Sequence, residues 1–482
     1  MLEAYHARTM KKLLISSALA VLFALPTALA GGDMAEDIRS GSLWSMNQDA
    51  VTNKYFVGEM YSWLDAAKTQ IRIHNRGNLK VGSFSPAVYM FNTAGDNFDS
   101  ISVMVYNKGD DGPMSQEAFE NKVEQTVNAL NEALGVKATG GKRAGKKGSP
   151  IAERSWRWTW EGGAAAMEAA STGGDTKTSK SKKGAAPSAP FESEYIRVRI
   201  GMNAGAIATG GAKDTARRAD IKKNCVRRAA NMPESERPKG LSAKAVWLDV
   251  PMVDQGDKGY CLPATVSRIF SLYGMDGVDM HTIAAMCDSS ASQGTTTESM
   301  VKALRSIASK YHVKLFRITD EGKVIAIGAK ETKKERESKF FASPEAAVLG
   351  TYPWVAEYNK LASREGKPGI PLRTDVNPLE VADPDLLLKA RSKGAKKFMD
   401  VVKKNVDAGV PLFWCVTLGL YPEVPALPQS RGGHMRLIIG YDEGNKSIIY
   451  SDSWGAGHEV KSMDVAKAAA MTADRFALKS SR

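Results

Sequence analysis

A basic stretch punctuated by Pro and Gly divides this chain in two. Between Asn203 and Ala243, nine Lys or Arg (213, 217, 218, 222, 223, 227, 228, 237 and 239) face four Asp or Glu (214, 220, 234 and 236), and the few apolar residues keep no long period. The stretch ends in Pro233, Pro238 and Gly240, residues that interrupt regular structure. One core of about 100 to 200 residues needs far less than 482, so a boundary here implies two units. The expected division is an N-terminal α+β domain at 31–202, a basic linker open to proteolytic nicking at 203–243, and a second domain at 244–482. With 43% hydrophobic and 25% charged residues, wholesale disorder is excluded.

Lys11 and Lys12 precede an apolar run from Leu13 to Leu25, and Ala28-Leu29-Ala30 supplies the small residues of a cleavage site. This pattern predicts a signal peptide over 1–30, cleaved after Ala30, with Met10 a more natural start than Met1. The run is shorter than the ~20 residues of a membrane span. The expected product is soluble and exported, periplasmic or extracellular, with no membrane association after cleavage. Its four cysteines (Cys225, Cys261, Cys287 and Cys415) allow two disulfides, or one reactive thiol and at most one disulfide among the other three; the size of the chain favours a fold that needs neither.

In the first unit, Phe119, Val123, Val127, Leu130 and Leu134 recur at spacings of three and four, which predicts an amphipathic helix over 115–134. Alternation at Ile101, Val103 and Val105, at Trp156, Trp158 and Trp160, and at Ile196, Val198 and Ile200 predicts half-buried antiparallel strands, with the Trp stripe packed against the helix. Gly140 to Pro150 and Ser171 to Pro190 carry lysines without apolar period and are expected to be mobile basic loops. Much of the formal charge of +13 sits in such stretches with no aromatic residue interleaved, so no specific nucleic-acid partner is indicated.

In the second unit, strands are expected at 246–250, 313–318, 410–416, 435–439 and 447–450, and helices at 262–273, about 298–311 and 398–406. Helices lie mainly before strands, which predicts an α+β arrangement. The segment Gln255-Gly256-Asp257-Lys258-Gly259-Tyr260-Cys261 runs into the first helix, whose Leu262, Val266, Ile269, Phe270 and Tyr273 share a face. Cys261 therefore stands at a helix N-terminus, where free backbone NH groups and the helix dipole favour thiolate over thiol. Downstream, His434 opens the apolar strand 435–439, and Asp452 closes the next, 447–450. Adjacent antiparallel strands would bring this base and this carboxylate together. His281 and His458 are the other candidate bases, placed less well. With neither an HExxH pattern nor a CxxC pair, the chain indicates no metal, and nothing in it suggests a cofactor.

These residues resemble the papain-like cysteine peptidases and, among their relatives, the bacterial double-glycine leader peptidases. Gln255 lies six residues before Cys261, His434 to Tyr441 resembles a strand of the His-x-Val-x-x-x-Gly-Tyr kind, and Asp452-Ser453-Trp454-Gly455 matches Asn-Ser-Trp-Gly. The resemblance spans 250–455 and implies a papain-like domain, helical part plus antiparallel sheet, that hydrolyses peptide bonds in peptide or protein substrates. It implies Cys261 as nucleophile, His434 as base, Asp452 as orienter, Gln255 as oxyanion donor and Trp454 as a shield for the His434–Asp452 bond. Departures are Lys258 where papain has a cysteine, Leu262 where it has an aromatic residue, and Asp452 for the usual Asn, the leader peptidases' own choice. The same thiolate, His and Asp also suit transglutaminase-like or amidase acyl transfer, and a non-catalytic surface binding protein could retain the fold. For the first domain, which resembles no family, control of cleft access or recruitment of substrate is expected.

Overall fold

The computed structural model of the chain describes residues 32–64, 70–144, 151–173, 190–207, 225–256, 259–274, 280–287, 313–320, 322–327, 352–429 and 432–480, with Lys68, Ser289, Val301, Leu304, Glu345, Val348 and Leu349. The expected signal peptide, residues 174–189 of the loop expected over 171–190 and most of the expected helix at 298–311 lie outside them, while Ser171 and Thr172 of that loop are strand.

The N-terminal unit is an antiparallel sheet with a helix against it. Its strands are β1 (Met60–Trp63), β2 (Gln70–His74), β3 (Val88–Ala94) and β4 (Asn97–Asn107), then, after helix α1 (Gln116–Leu134), β5 (Thr139–Ala144), β6 (Ile151–Trp160), β7 (Gly163–Thr172) and β8 (Glu192–Gly201). Their order across the sheet is β1-β2-β3-β4-β8-β7-β6-β5. α1 buries Phe119, Val123, Leu130 and Leu134, the period of three and four visible in the sequence. Trp158 is buried with them, its indole Nε1 donating to Asn131 Oδ1 of α1 at 2.9 Å. The helix begins where Ser115 Oγ accepts from Ala118 N, at 3.2 Å, and stops at Gly135 with φ +70°. Ser115→Ala is expected to lower stability by about 1 kcal/mol, read as a lower urea midpoint at unchanged slope.

Part of the basic stretch expected to be a loop is strand instead: residues 139–144 pair with β6, Gly140 opposite Trp156. Gly140 and Gly141 take φ of +109° and +84°, and a Cβ on Gly140 would come within 2.3 Å of Ser155 O, so the glycines let this edge strand run close to its neighbour rather than loosening it.

The second unit holds a nine-stranded sheet. Its elements are β9 (Val226–Arg228), β10 (Ala245–Leu248), helices α2 (Cys261–Leu272) and α3 (Met280–Met286), β11 (Val313–Ile318), β12 (Val324–Ala326), helices α4 (Trp354–Arg364), α5 (Pro384–Arg391) and α6 (Ala395–Val406), β13 (Leu412–Leu418), β14 (Gly432–Asp442), β15 (Ser447–Ser451), β16 (Lys461–Asp464), helix α7 (Val465–Met471) and β17 (Thr472–Ser480). The order is β12-β11-β17-β13-β14-β10-β9, with β15 also on β14 and β16 on β15, all antiparallel. Helix and antiparallel sheet together make this an α+β chain.

The linker expected over 203–243 is too long at its C-terminal end. Val226, Arg227 and Arg228 pair with Leu248, Trp247 and Val246, and Cys225 and Ala229 lie in the second core. Ser242 N donates to Asp442 Oδ2 at 2.7 Å, and Asn445 Nδ2 to Gly240 O at 2.9 Å, pinning the stretch to the β14–β15 turn. Its charge concealed this: Arg227 and Arg228 of the edge strand are both exposed, while Cys225 and Ala229 on either side of β9 are buried.

α2 also differs from the one-faced helix expected. Residues 262 to 270 are all buried, Thr265, Ser267 and Arg268 among them, so the helix runs through the core. The charge is tolerated because Arg268 donates to Pro251 O, Asp452 O and Ser451 Oγ at 2.8, 2.9 and 2.6 Å.

Candidate active site

The start of α2 and the ends of β14 and β15 meet at one place. Register puts Leu437 of β14 opposite Ser451 of β15, so the chain leaves β15 at Asp452 near the N-terminal end of β14, where His434 lies opposite Val416 of β13. His434 Nε2 stands 3.3 Å from Asp452 Oδ1, with both side chains fully buried. The imidazole lies close enough to the Cys261 thiol for each to shift the other's titration, and with Nε2 turned to the carboxylate, Nδ1 is the nitrogen left for sulfur. His434 and Asp452 thus meet beside the start of α2, where Cys261 lies.

The electrostatics suit a thiolate–imidazolium pair. Burial pushes the Cys261 thiol up, but the nearby His434 imidazole, with backbone groups of Met435 and Leu262, outweighs it and leaves the thiol below its ordinary value. For His434, burial pulls down while Asp452 and Cys261 pull up, and the net is raised. Burial opposes the Asp452 charge too, yet Arg436, His434 and His458 hold the carboxyl well below its usual range.

Each residue of the motif Asp452-Ser453-Trp454-Gly455 makes a contact here. Asp452 faces the imidazole. Ser453 Oγ donates to Gln255 Oε1 at 2.7 Å, and Gln255 N donates to Ser453 O at 2.8 Å, which fixes the amide so that its Nε2 is the donor end. Trp454 stacks on His434, ring centroids 4.2 Å apart and planes 5° from parallel. Gly455, at φ +77°, lets the chain pass Asp254, whose Oδ2 a Cβ would approach to 3.1 Å. Ser453→Ala is expected to lower kcat by about tenfold with little change in KM, because only the orientation of Gln255 is lost.

Sequence reasoning missed the groups behind Asp452. Arg436 Nε lies 2.8 Å from Asp452 Oδ1 and Lys461 Nζ 3.0 Å from Oδ2, and both cations also reach Glu423, at 3.0 and 3.3 Å. Arg436, Lys461, Glu423 and Asp452 are essentially without exposure. Tyr450 donates to Glu423 Oε2 at 2.5 Å. The available signal was Arg436 itself, a charge inside an otherwise apolar strand and two residues from His434, hence on the same face. His458, between β15 and β16, comes to within 3.7 Å of Asp452 Oδ2, the oxygen other than the one nearest His434. His281 sits on α3 against Tyr260, ring centroids 6.0 Å apart. All four cysteines are free, Cys261 partly exposed and Cys225, Cys287 and Cys415 buried. None of the described helices is long and apolar enough to cross a membrane.

Residues 388–477 match the Peptidase_C39 like family, a span that includes His434, Arg436, Asp452 and Lys461 and stops short of Gln255 and Cys261. The match relates the chain to the papain-like and C39 cysteine peptidases and points to hydrolase chemistry of that type. No curated protein matches the chain.

Proposed function

We propose that the protein is an exported cysteine endopeptidase that cleaves peptide bonds through Cys261, His434 and Asp452. One observation carries the reading: a partly exposed thiol at a helix N-terminus, held below its ordinary pKa by a buried histidine that a buried carboxylate backs at 3.3 Å. A structural cysteine has no use for that arrangement, and activated nucleophiles depend on it. Export rests on residues 11–30 alone.

In this reading the Cys261 thiolate attacks the scissile carbonyl carbon, and the oxyanion is received by Gln255 Nε2 and the Cys261 backbone NH. Each such donor contributes about 3 kcal/mol to the transition state in comparable sites. The His434 imidazolium gives its proton to the departing amine, leaving a thioester on Cys261. His434, now neutral, takes a proton from water as its oxygen attacks the thioester; the acid leaves and the thiolate returns. Asp452 keeps the ring oriented and stabilises its charged form, and the Trp454 stack keeps water from the His434–Asp452 contact.

The pH dependence follows from the two shifts. The ion pair exists above the lowered thiol pKa and below the raised imidazole pKa. So kcat/KM should trace a bell whose acid limb belongs to Cys261 and whose alkaline limb belongs to His434. Iodoacetamide should alkylate Cys261 on the acid side of an ordinary thiol's titration, and His434→Ala should move that profile back up. An unchanged profile in the variant would remove the basis of the pair.

Digestion of a peptide library by the protein beside its Cys261→Ala variant tests the function directly, and products formed with and without an added primary amine separate hydrolysis from acyl transfer. A folded protein that alkylates at Cys261 yet turns nothing over would leave the binding-protein reading in its place.

A further inference from the structure

The N-terminal unit touches the second unit along the segment that leads into the nucleophile. Arg72 on β2 forks over Asp254: Nη1 is 2.7 Å from Oδ2, and Nη2 donates to Asp254 O at 3.2 Å, with each side chain 15% exposed. Asp254 Oδ1 meanwhile accepts from Gly256 N at 2.8 Å, closing a turn around Gln255. The carboxylate is confined between Arg72 on one side and Gly455 on the other. At the far end of the same segment, Tyr260, which immediately precedes Cys261, is buried with its hydroxyl 3.4 Å from Asn107 Oδ1 of β4. The fit there is close, since a Cβ on Gly109 would come 2.0 Å from that hydroxyl. A third contact, Arg197 Nη1 to Thr282 Oγ1 at 3.1 Å, joins β8 to α3.

We propose that Arg72 is a positioning residue for the oxyanion donor: it holds the Asp254–Gln255–Gly256 turn, so the N-terminal unit completes the active site of the second unit. Gln255 is held on one flank by Ser453, inside its own unit, and on the other by Asp254, whose carboxylate and carbonyl are both fixed from outside it. A donor must stand about 2.7 to 3.1 Å from the developing oxyanion, and a misplacement near 1 Å costs about 10²-fold. Two donors in one planar guanidinium fix Asp254 in position and rotation, which a single ammonium does less well. An autoinhibitory prodomain makes the opposite prediction, because loosening it would raise turnover.

The proposal rests on the reading of Cys261 and Gln255 as nucleophile and oxyanion donor, and the test keeps the two apart. In the full chain, Arg72→Ala is expected to lower kcat about 10- to 100-fold with KM within about threefold, while the pH profile of Cys261 alkylation stays that of the wild type. Arg72→Lys should fall between. In a Gln255→Ala background, Arg72→Ala should add almost nothing, since its effect passes through Gln255; a merely structural role would multiply. If Arg72→Ala melts early, Asp254→Asn gives the same readout, keeping the acceptor for Gly256 and losing the charge that Arg72 meets. Turnover by Arg72→Ala equal to or above wild type, or full multiplication in the Gln255→Ala background, overturns the proposal and leaves the peptidase reading standing. Undiminished turnover by Cys261→Ala overturns the peptidase reading itself.

Discussion

Cys261→Ala is expected to abolish peptide hydrolysis, by on the order of 10⁶-fold if the thiolate forms the covalent intermediate. The same change should move the urea midpoint little. Cys261 is the first residue of α2 and only partly buried, and the helix is held by its core residues and by Arg268 rather than by sulfur. Large loss of rate with small loss of stability is the signature of a group that acts in chemistry, and comparing initial rates and urea melts of the two proteins reads both. Residual turnover within tenfold of wild type would leave His434 and Asp452 without a nucleophile to serve.

Arg436→Met carries the largest expected effect on stability. Removing one partner from a buried charge cluster costs about 3 to 5 kcal/mol, because the charge left behind has neither water nor a counterion. Arg436 stands between Asp452 and Glu423, two acids with almost no exposure, and Lys461 alone cannot neutralise both. The sign with pH follows from Asp452, whose carboxyl lies far below its usual range when folded. Its contribution is fully present above the ordinary unfolded value near 3.9 and is lost as pH falls through the folded one. Arg436→Met should raise that folded pKa toward the unfolded value, so less of the variant's stability depends on this carboxylate, and its deficit against wild type should be largest at neutral pH and narrow toward acid. Adding Glu423→Gln should return part of the loss at neutral pH by removing the second acid. Urea melts of the three proteins between pH 4 and 7 decide it, and a single variant as stable as wild type throughout would deny the cluster its role.

Much of the scaffold was legible because its signals are local. The spacing of Phe119, Val123, Leu130 and Leu134 and the alternation around Trp158 depend on neighbours within a few residues, and α1 and β6 appear as those patterns require. His434 and Asp452 were legible for a related reason: a short turn between two apolar strands nearly dictates antiparallel pairing, and pairing dictates which ends meet. What escaped was non-local or masked by composition. β9 hides in a basic stretch because its arginines face out, and α7 and β17 lie in an alanine-rich, charged region with no clear period. The cluster of Glu423, Arg436 and Lys461 comes from three separate segments, and no spacing along the chain encodes it. Arg72 is further removed still, 182 positions before the acid it meets.

One property of the second sheet bears on timing. β17, residues 472–480, lies between β11 and β13, which precede it by long intervals of chain. While the polypeptide is being made, that slot stays empty until residues 472–480 emerge, and until then β13 and β11 each lack this neighbour. Such distant pairing is slow to form. A nascent chain therefore spends an interval with β13, the strand beside the one that carries His434, unpaired along one edge.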